Sequence, residues 1–391
     1  MIVLITNCEL RTTGGTETVV IELCRRLRMR GHLVMVFSPA LGHSAELLIA
    51  QKFPVVSNLR DLPYKPDIIH GQHHLETISA LLALPETPAI YYIHGAVPWQ
   101  ERVPIHPRIL GYINLAEAAN FRLGVEKSIP PERCYVLENQ INLDLFPSPK
   151  TPPMRLQTAA YCPRSKPSPQ MWDKIQQLCR EHSIVLTHET EWAKSSITDP
   201  FAVYARYDLI FGSGRTALEA LAAGCVVSTS DAEHLGPLIT FKNVAERRQF
   251  NLSRALWENE TPYADLSKQL TNYLPDDQQQ VVDFIRSDAD SEKGADRLLI
   301  IYQKIIDEWK TALRPSFTEE MVAASDYLRS LTPLLKDQEK LEQFRLENAQ
   351  LRQRSETLKK LVSFLEEYSK NNFLRRLLLR PICQMKKILS A

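Results

Sequence analysis

YDLIFGSGRTALEALAAGCVVSTSD, residues 207–231, is the stretch that decides the fold. Asp208–Phe211 reads as a short buried strand. The loop Gly212-Ser213-Gly214-Arg215 follows, then a helix over Thr216–Ala223. Gly224 caps that helix, and Cys225–Ser230 returns as a second strand. Strand, glycine turn, helix, glycine cap and strand in this order make one unit of a parallel sheet. The glycines let backbone N–H groups point at an anion, and the helix adds the positive end of its dipole. Glu219 lies one turn into the helix, where a carboxylate can accept two hydroxyl hydrogen bonds, as from a ribose. A plain turn followed by a surface glutamate is the simpler alternative for the same residues.

Similar units flank this one. Met1–Thr6 is a continuous apolar run, as in a strand buried on both faces. Gly14-Gly15-Thr16 then opens a helix over Glu17–Arg30, with Val20, Leu23 and Leu27 on one face. Arg25, Arg26, Arg28 and Arg30 crowd its last turns, where cations suit the dipole. Gly31 is placed to cap it before the strand Leu33–Ser38. Asp67–His70, Ala89–Ile93, Ile109–Asn114 and Cys134–Glu138 read as further strands, the second ending at His94-Gly95. Pro147 to Pro153 marks a stiff linker. Beyond it, Ala159–Cys162 and Ile184–Thr187 read as strands, Met171–Glu181 as an amphipathic helix, and Asp296–Lys310 as a long helix able to close the pair of domains. The class is α/β: two Rossmann-like domains, 1–146 and 156–312, joined by linker 147–155. In such sheets ligands bind at the carboxyl ends of strands. Gly14-Gly15, His70, His94-Gly95 and Gly212–Thr216 all stand there.

Past residue 315 strand signals vanish. A helical extension over 316–371 carries heptads from Leu341, with a positions Leu341, Asn348, Ser355 and Val362 and d positions Phe344, Leu351, Leu358 and Leu365. This pattern predicts a coiled-coil homodimer over Leu341–Leu365, with Asn348 favouring one register; a single solvated helix is the alternative. The segment 372–391 interleaves Arg375, Arg376, Arg380, Lys386 and Lys387 with leucine and isoleucine. Such a basic amphipathic stretch suits an anionic membrane surface or an acidic partner, and Pro381 interrupts it.

The 391 residues carry a net charge of +1, so no global field draws the chain to nucleic acid. Seven scattered cysteines without a C-x-x-C pair argue against a disulfide framework or a thiolate zinc site and fit a reducing compartment. No basic-plus-apolar leader and no membrane-spanning run is present. A cytoplasmic protein is expected, peripheral on the membrane if the tail binds it. His70, His73 and His74 lack the acidic or thiol partners of a metal site, so no metal is expected. No Walker, H-E-x-x-H or G-x-S-x-G motif occurs.

Taken together, these landmarks resemble the family 4 retaining glycosyltransferases, which have the GT-B fold. Gly14-Gly15-Thr16-Glu17 with "RGHLVMVFS", "KPDIIHGQHH", "AIYYIHG", "IPPERCYVLENQINLDLF" and "YDLIFGSGRTALEALAAGCVVSTSD" follow that family's order over residues 1–310. Asn139, Asn142, Asp144 and Phe146 match its interdomain segment. The resemblance implies a glycosyltransferase that moves a sugar from a nucleotide-diphosphate sugar to a saccharide or lipid-linked acceptor, in surface polysaccharide or glycan synthesis. It implies no cofactor and no obligatory metal. Gly14 and Gly15 would approach the donor phosphates and the acceptor, and His94 would sit beside the transferred sugar. Arg164 and Lys166, with Lys174 competing, would offset the diphosphate. Gly212, Ser213, Gly214, Arg215 and Thr216 would cradle it, and Glu219 would hold the ribose. One departure stands out. The family carries a first glutamate eight positions before the second, and here that position is Phe211; Glu233 is the nearest substitute. The loop Asp231-Ala232-Glu233-His234-Leu235-Gly236 also lacks the family's glycine pair. A protein of this fold that binds nucleotide sugar or glycan without catalysis is the second expectation.

Overall fold

The structure, a computed structural model, describes residues 1–12, 14–95, 99–116, 123–124, 127–162, 166–188, 200–253 and 260–333, with isolated positions 348, 351, 355–356, 358–360 and 363. Met1–Glu320 forms one compact unit and Met321–Ala391 another.

The first unit opens on β1 (Ile2–Thr6), α1 (Gly15–Met29), β2 (Leu33–Phe37), α2 (His43–Ala50) and β3 (Val55–Val56). β4 (Ile68–Gln72), α3 (His74–Ala83), β5 (Ala89–Ile93), β6 (Ile109–Asn114) and β7 (Cys134–Val136) follow. Among the described residues these strands make a seven-stranded sheet in the order β3-β2-β1-β4-β5-β6-β7. Every pairing is parallel. The order reverses between β1 and β4, which creates a crevice at the carboxyl ends of those strands.

A second sheet comes from β8 (Thr158–Tyr161), α4 (Pro169–Glu181), β9 (Val185–His188), α5 (Pro200–Tyr204), β10 (Leu209–Gly212), α6 (Arg215–Ala222) and β11 (Val226–Thr229). Its described strands run β11-β10-β8-β9, all parallel. α7 (Val244–Gln249), α8 (Tyr263–Thr271), α9 (Pro275–Asp288) and α10 (Ser291–Thr311) complete it. α4 starts as its sequence dictates: Ser168 accepts from the Met171 amide at 3.2 Å, and Pro169 takes the first helical position.

Two details fix how the halves join. The proline segment is not a free spacer. The Lys150 amide donates to Ala223 O at 2.9 Å, and its ammonium pairs with Asp208 at 2.8 Å. Gly224, with φ +97°, lets Lys150 lie so close that a Cβ there would fall 2.4 Å from its carbonyl oxygen. The second detail is α10, which leaves the second sheet and packs Leu298, Tyr302, Ile305, Ile306 and Trp309 into the core of the first. The Trp309 indole donates to Glu86 O at 3.0 Å.

A further helix covers residues 317–333. Of the heptad positions, Asn348, Leu351, Ser355 and Leu358 are described. They are helical, with Leu351 and Leu358 exposed. Leu341, Phe344, Val362 and Leu365 lie outside the described residues, as do Arg375, Arg376, Arg380, Lys386 and Lys387. Among the described residues no helix is long and apolar enough to cross a membrane.

Candidate functional site

The site assembles where α1 of the first sheet meets α6 of the second. β10 reads Leu-Ile-Phe-Gly and all four residues are buried, so the chain leaves the sheet only at Ser213. Gly214 then takes φ +59° and ψ −130°, a region open to glycine and costly for other residues. This turn starts α6 with Arg215 as its first residue. Ala217, Leu218 and Leu221 go into the core, which leaves Arg215 and Glu219, one turn apart, on the opposite side.

Arg215 is the hub. Its Nη2 donates to Glu22 Oε1 on α1 at 2.9 Å, and its Nε donates to Glu219 Oε1 at 2.7 Å. The Tyr204 hydroxyl donates to Glu219 Oε2 at 3.1 Å. Burial alone disfavours the guanidinium charge. Glu22 and Glu219 outweigh that penalty and raise the arginine pKa. The four residues therefore form a chain of charge-assisted hydrogen bonds from one domain to the other. Glu22 also begins a stripe along α1: Arg26 and Arg30 follow at steps of four. Arg26 bonds Asn142, Asp144 and Glu292, and Arg30 pairs with Glu292 at 2.7 Å and Asp296 at 2.6 Å.

His94 enters from the first sheet, at the carboxyl end of β5. Its amide donates to Glu101 Oε2 at 2.9 Å and its ring lies 4.6 Å from that of Tyr92. Burial pushes the imidazole down to about 4; Glu101 opposes this, and His73 and Arg215 add to it. The ring is therefore neutral at physiological pH, and its Nε2 is buried without a partner. Behind it, His70 is fully buried and held by Tyr302 at 2.6 Å, and His73 faces Glu101 at 3.5 Å. Among the described residues no group of histidine, cysteine, aspartate or glutamate could hold a metal ion.

Most of the residues expected from sequence fall at two helix starts. Gly14 and Gly15 sit at the amino end of α1, while Gly212, Ser213, Gly214, Arg215, Thr216 and Glu219 gather at the start of α6. Two expectations need correction here. The Gly214 amide does not point at an open anion site, because it donates to Leu252 O at 2.8 Å. Glu219 is not an unoccupied acceptor, because both its oxygens are engaged. Lys166 is exposed, Lys174 is paired with Glu260 at 3.0 Å, and Arg164 lies outside the described residues. Phe211 is no part of the site: it packs in the core with Tyr161, Met171 and Ile175. Glu233 is exposed in a turn whose Asp231 carboxylate accepts from the Glu233 and His234 amides, each at 2.9 Å. Sequence reasoning did not reach Glu22, Tyr204 or Glu101. Glu22 sits 193 positions from Arg215, and no local signal marks that pairing.

A cavity of about 670 Å³ lies elsewhere, lined by Thr229, Gly236, Arg247, Glu260, Asp265 and Lys268 among others. It belongs to the second half alone and touches none of the expected donor residues. A smaller one, about 70 Å³, sits beneath the hub between α1, Tyr92, Asn139, Gln140 and α10.

Residues 13–145 match the family model of Glycosyltransferase Family 4. Among solved structures, the chain is similar to a glycosyltransferase from Rickettsia africae ESF-5, with 14% identity and a TM-score of 0.55 over 78% of this chain and 98% of that one. It is also similar to the HepE protein of Anabaena in complex with UDP and glucose, with 13% identity and a TM-score of 0.50 over 78% of this chain and 100% of that one. No curated protein matches the sequence. At such identities the likeness carries the fold, and the fold is that of the GT-B glycosyltransferases, with family 4-like character in the N-terminal part.

Proposed function

We propose that the protein is a glycosyltransferase that takes a sugar from a nucleoside-diphosphate sugar and passes it to a saccharide or lipid-linked acceptor, with retention at the anomeric carbon. One observation carries this reading. Arg215, the first residue of α6, meets Glu22 of α1 at 2.9 Å and acts electrostatically on His94 of the first sheet, so the start of α6 and the carboxyl end of β5 come together. In this reading the first-turn amides of α6 receive the diphosphate, assisted by Lys166 and Arg164, while Gly14 and Gly15 give it close approach. Glu219 holds the ribose. A neutral His94 with a free ring nitrogen suits a hydroxyl of the transferred sugar better than it suits a phosphate. Leaving-group charge is met by amides, dipole and cations, so no metal is required. A cytoplasmic enzyme of surface polysaccharide synthesis, dimeric through Leu341–Leu365 and touching anionic lipid through 372–391, completes the proposal.

Phe211 favours a second reading, in which the protein binds nucleotide sugar and serves as a non-catalytic assembly subunit. The position of the family's sugar-contacting carboxylate is here a core side chain. A thermal-shift panel of nucleoside diphosphates with UDP first, followed by turnover of labelled nucleotide sugars, separates the two. Stabilisation with turnover supports the enzyme. Stabilisation with neither hydrolysis nor transfer supports the subunit, and no stabilisation by any nucleotide rejects both.

A further inference from the structure

The hub around Arg215 holds one more piece of information, and it rests on the nucleotide-site reading above. Two carboxylates, Glu22 and Glu219, occupy a single guanidinium whose side chain is 18% exposed. Counting formal charges, the cluster is net negative and stands at the amino end of α6. A diphosphate brought there meets two like charges and an arginine already in use. Carboxylate and phosphate oxygens compete for the same planar donors, and phosphate can engage the fork with two oxygens at once.

We propose that Glu22 is a built-in competitor for the donor: in the nucleotide-free protein it clamps Arg215 across the domains, and the donor diphosphate takes Arg215 from it. The consequences follow from the geometry. Arg215 is the first residue of α6, so its side chain can swing from its present path along the helix toward an anion at the amino end. As it leaves, the 2.9 Å link between α1 and α6 breaks. Glu219 loses its partner on Oε1 and keeps Tyr204 on Oε2, which leaves one oxygen free to meet a ribose hydroxyl. Phosphate capture, release of the interdomain clamp and readiness of the ribose carboxylate thus share one arginine. Because linkage is reciprocal, any interaction that favours the clamp lowers nucleotide affinity by the same factor.

The test is calorimetric titration of UDP, GDP, ADP and inorganic pyrophosphate into the full-length protein, three single variants and one double variant. Glu22→Gln keeps the side-chain shape and removes the competing charge. It is expected to tighten pyrophosphate and the preferred nucleoside diphosphate by about tenfold. Glu22→Ala, the second variant in case the first does not fold, is expected to move affinity in the same direction. Arg215→Gln is expected to lose the gain, also when combined with Glu22→Gln. Tight binding to the wild type with affinity unchanged or weakened in both Glu22 variants overturns the clamp and leaves the nucleotide site standing. Absence of binding in every protein removes the nucleotide site, and the clamp with it.

Discussion

Arg215 keeps its charge in a nearly closed environment because two acids face it, and that fact sets the expectations for its neighbours. A lone ion at such a site would be strongly disfavoured, whereas an ion with paired, hydrogen-bonded partners is not. Glu219→Ala should therefore act on two quantities in opposite ways. Loss of the ribose contact should weaken a nucleoside diphosphate about tenfold or more, since hydrogen bonds to charged groups contribute about 1.5–3 kcal/mol. Inorganic pyrophosphate, which has no ribose, should bind as well as before or better, because Arg215 has lost one competitor. Calorimetry with both ligands checks this, and equal loss for both would remove the ribose role. The histidines give a second expectation at this scale. Burial pushes His70 down to about 3, with His94 adding to the effect, and burial likewise holds His74 and His106 near 4. These rings are neutral in the folded protein while the unfolded chain titrates near 6.5. Below that value the unfolded state binds protons that the native state refuses, so stability falls as pH falls, by at most about 1.4 kcal/mol per pH unit for each ring. His73 is shifted the other way, to about 10: burial opposes its charge, and Cys8 and Glu101 outweigh burial. A pKa raised in this way contributes stability that is kept as pH falls, so His73 does not add to the loss at the acid end. Denaturant melts at about pH 7 and about pH 5, above the range where paired carboxylates protonate, should show the lower midpoint at the acid end. Equal midpoints would mean that these rings titrate normally. Much of this lay beyond the sequence. The helical position of Glu219 follows from spacing, but its partner Tyr204 arrives from α5, and Glu22, which shares Arg215 with it, from a helix near the other end of the chain. The replacement of a glutamate by Phe211 is readable in the string; that the position belongs to a strand buried on both faces is readable only in the fold.

At the scale of elements, the turn between β10 and α6 is the most constrained piece of the site. Gly214 combines φ +59° with ψ −130°, and a Cβ there would meet nothing within 4 Å. The obstacle to substitution is thus the backbone itself. Gly214→Ala should cost about 1–3 kcal/mol and should weaken nucleotide binding by displacing the first amides of α6. Urea denaturation with a parallel binding titration reads both. Unchanged stability would show that the turn relaxes without loss. Elements carried by strong local signals were legible: β1, β5, β6, β10 and β11 are apolar runs bounded by polar turns, and α1, α4 and α6 have clear faces. α3, α8 and α9 went unread because their role is to cover a sheet, and what they cover lies far away in sequence. The same holds for α10. Its apolar stripe announces a helix, yet nothing local says that it packs into the first core rather than the second. His73, at φ +62° ahead of α3, shows the limit clearly, since the residue type does not announce a left-handed backbone.

At the scale of the molecule, the two halves of the first unit are joined by the apolar face of α10 in the first core and by ion pairs: Glu22 to Arg215, Arg26 to Glu292, Arg30 to Asp296. Charged contacts of this sort can exchange partners, as domain motion around a ligand requires, more readily than packed side chains can. The first unit ends at Glu320, whose carboxylate pairs with the buried Arg108 at 3.0 Å; association between copies is expected through residues beyond it. The heptads are the sequence's candidate. Their d positions are apolar throughout, Phe344, Leu351, Leu358 and Leu365, and the polar a residues Asn348 and Ser355 favour a two-stranded register at some cost in stability. Leu351 and Leu358 are exposed in the single chain, as a seam awaiting a second copy would be. Full-length protein should therefore sediment as a dimer, and protein cut after residue 333 as a monomer with its nucleotide affinity intact, because the hub and both sheets lie upstream of the cut. Equal masses for the two in sedimentation equilibrium would reject dimerisation through the heptads. A truncated protein that is monomeric and has also lost nucleotide binding would show that the site needs the tail, a dependence that the completeness of the Glu22–Arg215–Glu219–Tyr204 chain within the first unit argues against.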